Sequence, residues 1–163
     1  MKDEEPVKDV VCGMLVDPAS FGAEYQGGHF AFCSAQCRER FLANPHLYMG
    51  LPGQPAPKQK GQTLLKRRTF VLDVPLDPSQ ADIVRARIGA LMGIEAVEVH
   101  GRGEVVVTYD LLQATAVQIE AAFEDAGARL GAGWAERLQR GFVRYTEECE
   151  IGHLQVGPSS GCH

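Results

Sequence analysis

Apolar positions recur along this chain in two rhythms, one of strands and one of helices, and together they predict an α+β protein. Tyr25 and His29-Phe30-Ala31-Phe32 flank Gln26-Gly27-Gly28, which predicts an aromatic-rich hairpin with a Gly-Gly turn. Ser34 to Ala43 then reads as a helix stopped by Asn44-Pro45. Further on, Phe70, Leu72 and Val74 alternate on one face of a strand over Thr69–Val74. Asp77-Pro78-Ser79-Gln80 opens a helix, with Asp77 as N-cap, Pro78 in the first position and Gln80 three residues after the cap. Ile83, Val84, Ile88 and Leu91 follow at helical spacing, up to Gly93. Two strands, Ala96–His100 and Glu104–Tyr109, turn at Gly101-Arg102-Gly103. A second amphipathic helix runs from about Ala114 to Ala126, with Val117, Ile119, Ala122 and Phe123 as its buried face. The order is β-α-β-β-α, and Ala128–Leu130 is placed to begin a closing strand, the split βαβ or ferredoxin-like pattern. Trp134, Leu138, Phe142 and Tyr145 predict a last helix from Trp134 to about Leu154, with a flexible tail after it.

Residues 50–62 interrupt these rhythms. Three prolines and three glycines with almost no apolar residue predict an extended linker, here drawn at 50–65. It separates a short first segment, 7–49, from a longer second one, 66–131, with a helix and tail over 132–163. A segment of about 40 residues holds too little apolar surface to stand easily alone and calls for a metal or another staple. Composition supports folded segments: of 163 residues, 45% are hydrophobic and 23% charged. The net charge of −5 falls as −1 on residues 1–60 and −4 on 61–163, so neither part is built to bind nucleic acid or anionic membrane non-specifically. No apolar run approaches the ~20 residues of a membrane span, and Met-Lys-Asp-Glu-Glu-Pro is no secretory leader. The expectation is a cytoplasmic protein.

In a reducing compartment the five cysteines point to metal ligation or redox chemistry rather than to disulfides. Twenty residues separate Cys12 from Cys33, and three separate Cys33 from Cys37. Residues four apart on a helix share a face, so Cys33 and Cys37 can aim at one point. Gly13 gives Cys12 a tight turn from which to approach the same ion. Three thiolates suit Cu(I), Zn(II) or a similar thiophilic ion, and a helix start beside Cys33 favours the thiolate. Met14, His29 and His46 are candidates for a fourth position. A second cluster, Cys149, His153, Cys162 and His163, lies near the end among Glu147, Glu148 and Glu150; it binds a metal separately, completes the first site, or is an incidental set on a solvent-exposed tail.

Val11-Cys12-Gly13-Met14, Tyr25, Gly28, Phe30, Phe32-Cys33-Ser34, Cys37, Phe41, Asn44-Pro45 and Tyr48 resemble the YHS domain, one of the TRASH-like metal-binding modules with Cys-x(19–22)-Cys-x(3)-Cys spacing. The resemblance implies a small treble-clef or zinc-knuckle-like module binding metal through Cys12, Cys33 and Cys37. Such modules accompany heavy-metal pumps, reductases and metal-resistance proteins. The β-α-β-β-α segment resembles the heavy-metal-associated domain of copper chaperones and P-type metal ATPases. That family carries Cys-x-x-Cys between its first strand and first helix, where this chain has Pro75-Leu76-Asp77-Pro78-Ser79-Gln80. The second segment is therefore expected to dock or to dimerise rather than to exchange metal at that loop.

Little points to catalysis. There is no Cys-x-x-Cys, no nucleophile elbow and no complete dinucleotide fingerprint, which leaves only a thiol reaction of the Cys33 and Cys37 pair. The expected function is sequestration, delivery or sensing of a metal, copper first, with a metal-exporting ATPase as receiver. The alternative is an adaptor whose first module holds structural zinc.

Overall fold

The computed structural model describes residues 4–155, the side chains of 134, 135 and 155 excepted. The chain divides into two compact units between Thr63 and Leu64.

The first unit opens with β1 (Val7–Lys8), paired antiparallel with β2 (Leu15–Val16). Between them the backbone folds into a knuckle. Asp9 N–H donates to Met14 O at 2.8 Å, Gly13 N–H donates to Asp9 O at 2.8 Å, and Gly13 takes φ +82°, a conformation that glycine adopts without strain. A second hairpin joins β3 (Ala23–Tyr25) to β4 (Gly28–Phe30). Its two turn residues are Gln26 and Gly27, at φ +48° and +77°, and Gly28 already belongs to the strand. Positive φ at both positions matches the twist of the strands. α1 (Ala35–Ala43) starts on Ser34, whose hydroxyl oxygen accepts from Cys37 N–H, and stops at Asn44 ahead of Pro45. A 3-10 turn, Pro45–Leu47, follows. Phe41 projects from α1 into the core, where the rings of Tyr25, Phe30, Phe32 and Tyr48 lie 4.9–6.1 Å from its own. Val11 and Leu47 are buried with them.

The proline- and glycine-rich stretch does not run out as a tether. Leu51 and Gln54 form a bridge, Lys58 N–H bonds Leu47 O at 3.0 Å, and Ala56 is buried. Gln59 clamps the turn by accepting from Ala56 N–H at 2.8 Å and Gly50 N–H at 3.3 Å. A Cβ on Gly50 would lie 2.2 Å from Gln54 O, so this glycine is required for the fold-back. The glutamine clamp satisfies backbone groups that composition alone assigns to water.

The second unit has the expected β-α-β-β-α order: β5 (Leu65–Val71), α2 (Pro78–Gly89), β6 (Ile94–His100), β7 (Glu104–Asp110) and α3 (Ala116–Asp125). The strands form an antiparallel sheet in the order β5-β7-β6, with Phe70 opposite Val105 and Val97 opposite Val107. Both helices begin with a capping box, Asp77 with Gln80 and Thr115 with Gln118. The core takes Phe70, Leu72, Val84, Ile88, Val105, Val107, Tyr109, Ile119 and Phe123. The first strand starts four residues earlier than expected, and Val74, Ile83 and Val117 are exposed. Ala128–Leu130 contributes one bridge, Leu130 to Leu72, rather than a strand.

The last helix, α4 (Trp134–Gln155), has the expected extent. Leu138, Phe142 and Tyr145 are 63–66% exposed. The covered side carries polar groups instead. Buried Glu147 accepts from the Tyr109 hydroxyl and, at 3.0 Å, from Ala116 N–H at the start of α3. Lys66 pairs with Glu150, Arg144 with Glu120, and Arg140 donates to Gly131 O. These bonds fix the rotation of the helix about its axis. No helix among the described residues is long and apolar enough to cross a membrane.

Candidate metal centre

The knuckle and the start of α1 bring three sulfurs together. Cys33 is central, with its Sγ 3.5 Å from those of both Cys12 and Cys37. Cys12 and Cys33 are half-buried and Cys37 is buried. The Asp9 carboxylate joins them, and one ligand atom from each of the four lies within 4.8 Å of the others. A Zn–S bond of about 2.3 Å in a tetrahedron sets sulfurs about 3.8 Å apart. The observed spacing needs an opening of a few tenths of an ångström to admit such an ion, so the residues fit a thiophilic metal.

Asp9 was not legible as a site residue from cysteine spacing. It is fully buried, and its carboxylate ties the two cysteine-bearing segments to each other. Oδ1 accepts from Val11 N–H at 2.8 Å and from Cys12 N–H at 3.3 Å, while Oδ2 accepts from Cys33 N–H at 2.8 Å. The first bond is an Asx-turn, a local pattern in which aspartate caps the amide two residues on. An aspartate three residues before a cysteine in a turn is the signal that would have found it.

The charges follow from this packing. Burial raises the Asp9 pKa, but the donors from Cys33, Val11 and Cys12 outweigh it and hold the carboxyl below its ordinary value. For Cys12 burial comes first; with the Cys33 sulfur and the Asp9 charge it pushes the thiol up to about 12. Cys37 is raised further, by burial and then by Asp9. At Cys37, in the first turn of α1, burial prevails over the benefit a helix start offers a thiolate. A cation reverses the balance, since it replaces the protons and neutralises anions that the cluster otherwise disfavours. The Ser34 hydroxyl oxygen accepts from the Cys33 thiol at 3.6 Å and from Cys37 N–H at 3.4 Å.

Residues 7–51 match the YHS domain family. Together with the four-residue cluster, the YHS match supports metal binding by this segment. No curated protein matches the chain. Among solved structures, the solution structure of apo-CopP from Helicobacter pylori is 25% identical, over 40% of this chain and 100% of that one, with a TM-score of 0.38. The solution structure of the putative copper-ion-binding protein from Bacillus anthracis str. Ames is 24% identical, over 43% of this chain and 100% of that one, with a TM-score of 0.41.

The candidates for a fourth ligand sit at exposed positions. Met14 is 49% exposed, His46 is exposed on the 3-10 turn, and the exposed His29 places Nε2 3.1 Å from Pro18 O. Among the described residues, neither histidine belongs to a group of metal-competent side chains. Cys149 and His153 both lie on α4, and neither enters such a group among the described residues. Cys162 and His163 lie outside the described residues.

Proposed function

We propose that this chain is a non-enzymatic carrier or sensor of one thiophilic ion, copper as Cu(I), held by the thiolates of Cys12, Cys33 and Cys37. The observation that carries this reading is the convergence of three sulfurs whose fourth neighbour is already engaged. Both Asp9 oxygens accept backbone N–H groups, so the carboxylate serves as a brace and leaves a three-sulfur set. Structural zinc almost always takes four protein ligands, whereas a soft monovalent ion is content with fewer. The first unit also has a core of its own, five aromatic rings centred on Phe41, so a metal is not needed to fill its interior. Knuckle, hairpin and helix follow one another as in a treble-clef-like module. In this reading the protein is cytoplasmic and the second unit serves recognition, with a metal-exporting P-type ATPase as the receiver.

A second reading, structural zinc in an adaptor protein, draws on the same carboxylate: Asp9 lies within the 4.8 Å cluster and offers an oxygen as fourth ligand. Competitive titration of the full chain with Cu(I) and Zn(II), under reductant, separates the two. A carrier binds one Cu(I) that displaces zinc and keeps its far-ultraviolet circular dichroism when stripped. One zinc that Cu(I) does not displace, with loss of structure on chelation, overturns the carrier.

A further inference from the structure

The exposed side of α4 has a stricter period than an ordinary amphipathic helix. The exposed Leu138, Phe142 and Tyr145 and the half-buried Cys149 and Gly152 follow one another at intervals of four, three, four and three, the seam of a heptad repeat. A seam this narrow fits another helix; a broader apolar stripe is what packs on a sheet or in a core. The seam is not free to roll inward, because Glu147 on the opposite side is held by Tyr109 and the first turn of α3, and Lys66 holds Glu150.

The flanks of the seam indicate which helix fits. In heptad terms the positions beside it are Gln139, Gly141, Thr146, Glu148 and His153, with one formal charge among them, Glu148. In a parallel pair, Glu148 of one helix faces His153 of the other, five residues on, and two-fold symmetry makes that contact twice. The charge-rich positions, Arg137, Arg140, Arg144, Glu147 and Glu150, all lie off the seam. A second copy of this chain therefore meets a near-neutral flank that complements its own. We infer that α4 is a homodimerisation helix, two copies packing in parallel through Leu138, Phe142 and Tyr145, with Cys149 opposite its counterpart. Two heptads bury a small area, so the dimer belongs to the weak, concentration-dependent class.

Sedimentation velocity on the full chain, from low to high micromolar concentration under reductant, is the test. The expected result is a rise toward twice the monomer mass for the wild type, and monomer mass throughout for Phe142→Glu with its circular dichroism unchanged. Leu138→Glu gives the same answer if the first variant misfolds. A wild type that stays monomeric overturns the inference and leaves the stripe to another protein. A dimer that survives both substitutions overturns it as well. Mild oxidation with a diazene dicarboxamide, in a Cys162→Ser background, reads the orientation. The two Cys149 thiols give up two electrons and two protons to the reagent and form one disulfide between chains, lost in Cys149→Ser. Absence of that crosslink in a dimer overturns the parallel arrangement.

Discussion

Each unit contains a buried aspartate that gathers backbone N–H groups. In the first, Asp9 collects Val11, Cys12 and Cys33; in the second, Asp110 accepts from Leu64 N–H and Leu112 N–H at 3.0 Å and from the Gln113 amide at 3.2 Å. The device is the same and its local form is the same, an Asx-turn to the residue two positions on. The outcomes differ because of what the gathered residues carry. Around Asp110 they are Leu64, Leu112 and Gln113, and the aspartate closes a corner where the chain enters and leaves the sheet. Around Asp9 two of the three are cysteines, and closing the corner aligns a set of ligands. A binding site in this protein is a fold corner furnished with thiols.

The most damaging way to break the contrast is Cys33→Ser. It removes the sulfur that neighbours both others, and metal affinity should fall by more than the ~100-fold that loss of a supporting group costs. Isothermal competition against a chelator checks the affinity, and a far-ultraviolet circular dichroism spectrum should stay unchanged. Next is pH. Cys12 and Cys37 are raised above the ordinary thiol value, so both are protonated near neutrality without metal, and loading releases at least two protons. Affinity should therefore climb about 100-fold per pH unit between about pH 6 and 8. A slope near zero would mean the thiols are not the ligands. Phe41→Ala should destabilise the first unit by about 3–5 kcal/mol and leave the second unit's unfolding transition in place, as differential scanning calorimetry would show.

The finest test compares the two aspartates. Asp9→Asn should weaken metal binding by about 10–100-fold as well as the first unit's stability, whereas Asp110→Asn should cost the second unit about 1–3 kcal/mol with no change in metal affinity. The sign of the Asp9 contribution follows from its depressed pKa. It is complete above the ordinary carboxylate value of about 3.9 and is lost as the pH falls through the lower folded value.

Local chemistry was legible in the sequence wherever it acts within a few residues. Asp77 with Gln80 writes its bonds into nearby positions, and this capping box appears as expected. The sulfur cluster was legible through the spacing of Cys33 and Cys37, although Cys33 lies just before the Ser34 cap and only Cys37 is on α1. The Asp9 brace was not, because its decisive bond reaches Cys33, 24 residues away. The segment 50–62 looked like a tether because proline and glycine counts say nothing of Gln59, whose carboxamide holds the turn. For α4 the period named the residues that share a face and was silent on which face the sheet covers. Glu147 and Glu150 decided that, through partners on distant elements.

The bond from Cys33 N–H to Asp9 Oδ2 has a consequence in chain entropy. Joining Cys12 to Cys33 closes a loop of about 20 residues, and for a flexible chain that closure costs about 2–3 kcal/mol. In this protein the closure belongs to folding, so an arriving ion meets a loop already shut. About two decades of affinity are thus supplied by a carboxylate that need never touch the ion.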